Sequence, residues 1–326
     1  MPPIQSAEMD LLRQWSANAT KGASFRFLKT GDDRARNFQD FVSTLAEAAP
    51  EVRVTTEVSG EQAPPAFIVG KALNYNGVPV GNELAPFLDI LSWRDPADTG
   101  LDEAVRECIA GIVLPAELKL YVTPQCHFCP KTVRLVAAFA LVNPLLRVNI
   151  IDGLLFPEMS ENDGVRSVPT LILDNRLRWT GTIRTEEILE GLVHRDPSQL
   201  SAQSMESILK EGNAQRLAEM MLEHERVFSA FPDLLKHPEW SVRLGAMVVM
   251  EELAGENRGL ASSTLEPLWE AIGQVEDPVK GDLFYIFGLV GSAEWIPRLE
   301  GLLALEMRPE LREVMEEALE ALRSRN

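Results

Sequence analysis

Leu118-Lys119-Leu120-Tyr121-Val122-Thr123-Pro124-Gln125-Cys126-His127-Phe128-Cys129-Pro130 joins two periodicities within thirteen residues. Its first five positions are apolar and β-prone around one lysine, the pattern of a strand. The residues after it predict a helix from Cys126 to Val142. Cysteines separated by two residues at a strand-to-helix junction bring both sulfurs to the first turn of one helix, within reach of a disulfide. Unpaired N–H groups at a helix N-terminus favour the thiolate of the first. Cys126 is therefore the expected exposed nucleophile, and Cys129, about one turn further in, the resolving thiol. His127 is expected to help hold the thiolate, with Phe128 and Pro130 completing the motif. No metal is expected, since a tetrahedral zinc site wants four ligands and His127 cannot easily join the thiolates that flank it.

Working outward, Leu146–Ile151 reads as a strand, 156–162 as a short helix, Val168–Leu173 and Arg176–Thr180 as strands, and Thr185–Val193 as a closing helix. Pro169, about 40 residues after the cysteines, is expected to follow a cis peptide bond, which X-Pro tolerates far better than other bonds. That geometry would leave the backbone of Val168 free to pair with an extended substrate peptide. Upstream, a leading helix over Met9–Ala17 precedes a similar order. The strand Phe25–Leu28 is followed by a helix bearing Phe38, Phe41, Val42 and Leu45, with Asp32-Asp33 as its cap. Val52–Val58, Phe67–Val69 and a turn-bearing arm over Asn74–Gly81 come next, then a helix from Glu83 to Trp93. Both halves carry proline before the third strand, which suggests an internal duplication.

Beyond about residue 197 strand signals vanish and amphipathic helical stretches succeed one another. Three share a proline-plus-basic opening: Pro238…Val242-Arg243, Pro278-Val279-Lys280 and Pro309-Glu310-Leu311-Arg312. Recurrence at about 30–40 residues suggests stacked helical hairpins that resemble HEAT repeats. The expected organisation is 1–113, 114–196 and 197–326, an α/β pair of folds followed by an all-α block. The tryptophans Trp179, Trp240, Trp269 and Trp295 are assigned to cores, and Cys108 to a buried helical position.

Residues from about Met9 to Val193 resemble the tandem thioredoxin-fold module that begins the flavoprotein subunit of alkyl hydroperoxide reductase. They are also similar to glutaredoxin-like protein disulfide oxidoreductases. The likeness rests on Cys126-His127-Phe128-Cys129-Pro130, Val148-Asn149-Ile150-Ile151-Asp152-Gly153, Ser167-Val168-Pro169-Thr170 and Gly77-Val78-Pro79-Val80-Gly81-Asn82-Glu83. It implies two tandem thioredoxin-like folds. The first is degenerate, with Thr30-Gly31-Asp32-Asp33 where the second has its cysteines. It also implies that Glu83 lies beside the dithiol as a proton acceptor or a tuner of thiol pKa, and that a peroxiredoxin is a client. A helical block stands where that family carries its flavin domain, so a separate reductase is the expected electron source.

A formal net charge of −18 over 326 residues argues against nucleic-acid binding. No apolar run approaches a membrane span, and no export signal opens the chain, so the expected location is cytoplasmic. Three cysteines cannot build a disulfide scaffold, and a close pair in a reducing compartment points to catalysis. The reading is an enzyme that exchanges electrons with protein disulfides and thiols, with no cofactor beyond its own redox-active disulfide. Its competitor is a redox-switched or redox-inert adaptor that binds proteins on its helical repeats.

Overall fold

The computed structural model describes residues 6–18, 22–60, 63–306 and 308–325. It divides into two compact units, Met1–Arg195 and Asp196–Asn326.

The first unit begins with α1 (Ser6–Asn18), β1 (Ser24–Lys29), α2 (Ala35–Ala48), β2 (Arg53–Val58), β3 (Ala66–Val69), β4 (Leu73–Asn76), α3 (Leu84–Ser92) and α4 (Glu103–Ala110). It continues with β5 (Ala116–Val122), α5 (Cys129–Val142), β6 (Leu146–Asp152), α6 (Pro157–Asn162), β7 (Thr170–Leu173), β8 (Leu177–Thr180) and α7 (Thr185–Val193). Among the described residues the strands form one eight-stranded sheet in the order β2-β1-β3-β4-β6-β5-β7-β8. Each half repeats a single scheme: the first strand pairs parallel with the second and antiparallel with the third, which pairs antiparallel with the fourth. The halves are joined edge to edge by parallel pairing of β4 with β6, Leu73 opposite Val148 and Asn76 opposite Ile151. At this seam the Asn74 amide donates to Asn149 Oδ1 at 2.9 Å. The segments on either side of 113/114 thus share one sheet and one continuous apolar core.

Burial along the strands follows position in the sheet. β5, covered on both faces, is buried at all but one residue, Lys119, whose ammonium pairs with Asp163 at 3.2 Å. The outer strands β2 and β8 leave most side chains in solvent, as edge strands do. The core of the first half is aromatic: Phe25, Phe38 and Phe67 pack edge-to-face, with Phe67 centroids 5.0 Å from both others.

Three local expectations in the first unit are corrected. The helix after the dithiol begins at Cys129, not Cys126. A helix opening at Cys126 would need the N–H of residue 130 to reach its carbonyl, and Pro130 has none. Asp32 does not cap α2 directly: its Oδ1 accepts from Arg34 N–H at 2.8 Å, one turn ahead of the helix. Cys108, a free thiol, is half-buried and not buried, because the neighbouring Ile109 takes the inward position on α4.

The second unit contains only helices among its described residues: α8 (Ala202–Lys210), α9 (Ala214–Glu223), α10 (Phe231–Leu235), α11 (Trp240–Glu256), α12 (Arg258–Ser262), α13 (Leu265–Ala271), α14 (Asp277–Val290), α15 (Ile296–Leu303) and α16 (Pro309–Ser324), besides single 3₁₀ turns. The helices with the shared opening pack in series, α11 on α14 and α14 on α16. Pro278 and Pro309 lie in a first helical turn, whereas Pro238 precedes its helix by two residues. The basic residue of the opening has a structural use. Arg243 is buried, pairs with Asp282 at 2.7 Å and donates to the carbonyls of His237 and Pro238, and Arg312 donates to those of Leu303 and Glu306. Trp269 and Trp295 cluster with Phe287 as expected. Trp240 does not enter a core: it lies at the first position of α11 and is 59% exposed. Among the described residues no helix is long and apolar enough to cross a membrane.

Candidate active site

The central strand β5 runs into the loop 123–128, and the Cys126 N–H turns back to the Thr123 carbonyl at 3.0 Å. Cys126 is half-buried, whereas Cys129 at the start of α5 is fully buried. The two sulfurs are joined, with 5.5 Å between the Cα atoms. The backbone N–H of Cys129 points at Cys126 Sγ, 3.1 Å away. A donor at that place stabilises negative charge on Cys126 once the bond is reduced, in addition to the field of the helix N-terminus. His127 is exposed and makes no hydrogen bond with another described residue; Phe128 is 73% exposed, an apolar ring in solvent beside the accessible sulfur. Pro130 occupies the second position of α5. The Val168–Pro169 bond is cis, with Pro169 buried and Val168 half-buried against the core that holds the cysteines.

The first half contributes a turn to this loop. Asn82 N–H donates to the Pro124 carbonyl at 2.9 Å, two residues before Cys126. Gly81 has φ +59°, and a Cβ there would stand 2.6 Å from the Pro124 oxygen, so backbone meets backbone where a side chain has no room. Glu83 follows, 2% exposed. Its Oε2 accepts from the Tyr75 hydroxyl at 2.6 Å, while its Oε1 is buried without a hydrogen-bond partner. Burial pushes the carboxyl up to about 7; the Tyr75 hydrogen bond and Arg134 oppose the rise, and the charge of Asp152 adds to it. Asp152, at the end of β6, is itself raised by burial, against the Leu154 and Leu155 N–H groups that donate to it. The sequence singles out Glu83 but gives Asp152 and Tyr75 no role. Tyr75 and Glu83 meet within the first half, and the β4–β6 seam brings Asp152 to them. Two buried carboxyls and a tyrosine form a cluster in which the Glu83 carboxyl can exchange its proton near pH 7.

Comparison with known proteins agrees with this geometry. Residues 116–194 match the family model described as a thioredoxin domain. The chain is 27% identical over 190 residues to the F component of alkyl hydroperoxide reductase from Pseudomonas aeruginosa, across 55% of this chain and 36% of that protein. It is 24% identical to an NADH dehydrogenase of Bacillus subtilis, across 48% of this chain and 32% of that one. It therefore spans about a third of the length of these curated relatives. Among solved structures, a protein disulfide oxidoreductase from Aeropyrum pernix superposes with a TM-score of 0.54 at 16% identity, over 62% of this chain and 98% of that one. The paired half-sheets, the junctional disulfide and these likenesses identify the first unit as a thioredoxin-like module.

Proposed function

We propose that this chain, with its thioredoxin-like module, is a thiol–disulfide oxidoreductase whose electrons are carried by Cys126 and Cys129 alone. In the reducing direction the Cys126 thiolate attacks a client disulfide, forming a mixed disulfide and releasing one client thiolate. The Cys129 thiolate then attacks Cys126 Sγ, the second client thiol departs, and the pair is left oxidised, two electrons having passed to the client. The observation that carries this reading is the asymmetry of the pair. One sulfur is accessible and faces a backbone donor; the other is buried within bonding distance. Glu83, whose carboxyl is raised to about 7 by burial and so exchanges its proton readily near pH 7, serves in its ionised form as the proton acceptor for the buried thiol.

A peroxiredoxin-type protein is the client that the alkyl hydroperoxide reductase likeness favours, and a separate reductase restores the dithiol. The chemistry suits a reducing compartment, the cytoplasm. Val168, half-buried beside the cis-proline, offers its backbone to the client chain. Replacing Cys126 by Ser should abolish reduction of insulin disulfides, and Cys129→Ser should accumulate mixed disulfides with client proteins. Full activity in both variants would overturn the mechanism.

A second reading takes the helical unit as the main recognition surface, with the dithiol as a switch on affinity. The exposed Trp240 and Leu244, one turn apart on α11, favour such docking. Binding of the same clients by a Cys126→Ser, Cys129→Ser double variant, lost on Trp240→Ser, would support it.

A further inference from the structure

The turn that in the second half carries the dithiol has a counterpart in the first half. Matching the starts of α2 and α5 puts Ala35 at the place of Cys129 and Asp32 at the place of Cys126. Arg34 sits between these positions and reaches across to the second half. Its guanidinium lies over the Phe156 ring, 4.2 Å from the centroid. It pairs with Glu158 at 2.6 Å and donates to the Leu155 carbonyl at 3.0 Å. Asp32 grips it from behind through both Nε and Nη2, at 2.9 and 2.6 Å, so the side chain is held in place before it touches the loop.

The segment it holds, the turn 153–156 and the start of α6, is fixed at its other end by the N–H groups of Leu154 and Leu155, which donate to Asp152. Between these anchors it walls a cavity of about 220 Å³ lined by Val78, Val80, Pro124, Leu154 and Leu155, with Asn37, Gln125 and Asp152 as its polar members. Gln125, the residue before Cys126, forms part of its wall, which ties the cavity to the loop that carries the reactive cysteine. Most of its walls are apolar, and Leu154 at its edge is 66% exposed.

We propose that Arg34 is a positioning residue: through it the cysteine-free turn of the first half fixes the loop that shapes this cavity, which takes an apolar side chain next to the cysteine of a client peptide. The proposal rests on the oxidoreductase reading and adds a client preference to it. The occupant follows from the position of the cavity. A polypeptide whose disulfide reaches Cys126 lays its neighbouring side chain against Gln125 and Leu154, and the apolar walls select an aliphatic or aromatic one. Arg34 touches neither sulfur in this arrangement. Its removal loosens the loop and leaves the dithiol in place.

The test uses the full chain in reduced form, with two substrates. One is the small aromatic disulfide dithiobis(nitrobenzoate), which needs no cavity. The other is a pair of disulfide peptides that differ only in carrying Leu or Asp beside the reacting cysteine. The parent protein should prefer the Leu peptide by about tenfold in KM, the scale on which one apolar group is distinguished by a pocket. Arg34→Met, which keeps the stem but not the fork, should reduce that preference to about twofold. Its kcat and its rate with the small disulfide should stay within twofold of the parent, and Arg34→Lys should recover only part of the preference. Glu158→Gln, which leaves the Asp32–Arg34 pair intact, should lower the preference by about threefold and provides the measurement if Arg34→Met does not fold. An unchanged preference in the folded variants overturns the proposal, as does an equal loss with both kinds of substrate. A parent protein inert toward every disulfide instead removes the oxidoreductase reading on which it rests.

Discussion

Replacing Glu83 by Gln should change how stability depends on pH, and the size of the change follows from the site. The carboxyl has an ordinary value of 4.5 and is pushed up to about 7 by burial in the folded chain. An acid that holds its proton more tightly when folded contributes fully below its unfolded value, and that contribution drains away as pH rises through the folded one. For Glu83 the window is 4.5 to 7. At about 1.4 kcal/mol per unit, roughly 3 kcal/mol is lost across it. Glutamine cannot ionise, so this loss is absent from the variant, and so is the repulsion with Asp152. The amide still accepts from Tyr75, but its NH₂ occupies the place of Oε1, where no partner waits. Two orphaned donors there replace an atom that already lacks a partner in the parent, a difference of about 1 kcal/mol at every pH. The variant should therefore be the less stable protein at pH 4.5 and should match or exceed the parent at pH 8.5. Urea unfolding of both oxidised proteins at several pH values, followed by far-UV circular dichroism, measures the difference. The helical unit is common to both proteins and cancels. Two stability curves that run parallel from pH 4.5 to 8.5 would refute a buried, near-neutral Glu83.

Gly81→Ala forces a Cβ against the Pro124 carbonyl from a left-handed backbone position. It should lower the melting temperature and slow the reaction of Cys126 with an alkylating reagent, since the loop that carries the cysteine must shift. Arg195→Met removes one partner of an ion pair with Asp174 in which both side chains are 6% exposed, and also the donors to the Leu114 and Pro115 carbonyls. Asp174 keeps the Glu117 N–H at 3.0 Å but loses its counter-charge; removing one partner of a buried ion pair costs about 3–5 kcal/mol, so thermal unfolding of the first unit should move down sharply. Gly288→Val places a branched side chain where even a Cβ stands 3.0 Å from Ala318 Cα, between α14 and α16. Overpacking of about 1–3 kcal/mol should destabilise the helical unit, seen by calorimetry, with insulin reduction retained.

Some of this protein is written in short stretches of its sequence. The apolar run Leu118–Val122 makes a central strand wherever it folds, because its residues suit a pleated surface covered on both faces. The spacing of Cys126 and Cys129 fixes a short span between their sulfurs, and Val168–Pro169 marks the one cis peptide among the described residues. Even the true start of α5 is legible in Pro130, which cannot donate to the Cys126 carbonyl. These features depend on a few neighbouring residues and on backbone chemistry that acts locally.

Tertiary structure alone decided that two similar halves would share one sheet. The β4–β6 seam is made by backbone N–H and C=O groups, which every strand edge offers, so side-chain pattern does not announce it. That pairing sets Tyr75 and Glu83 beside Asp152 and lets Arg34 reach Glu158 from 124 positions away. A buried carboxyl owes its proton affinity to what surrounds it in space, and an arginine its task to the loop it happens to meet. Neither quantity exists until the chain has folded.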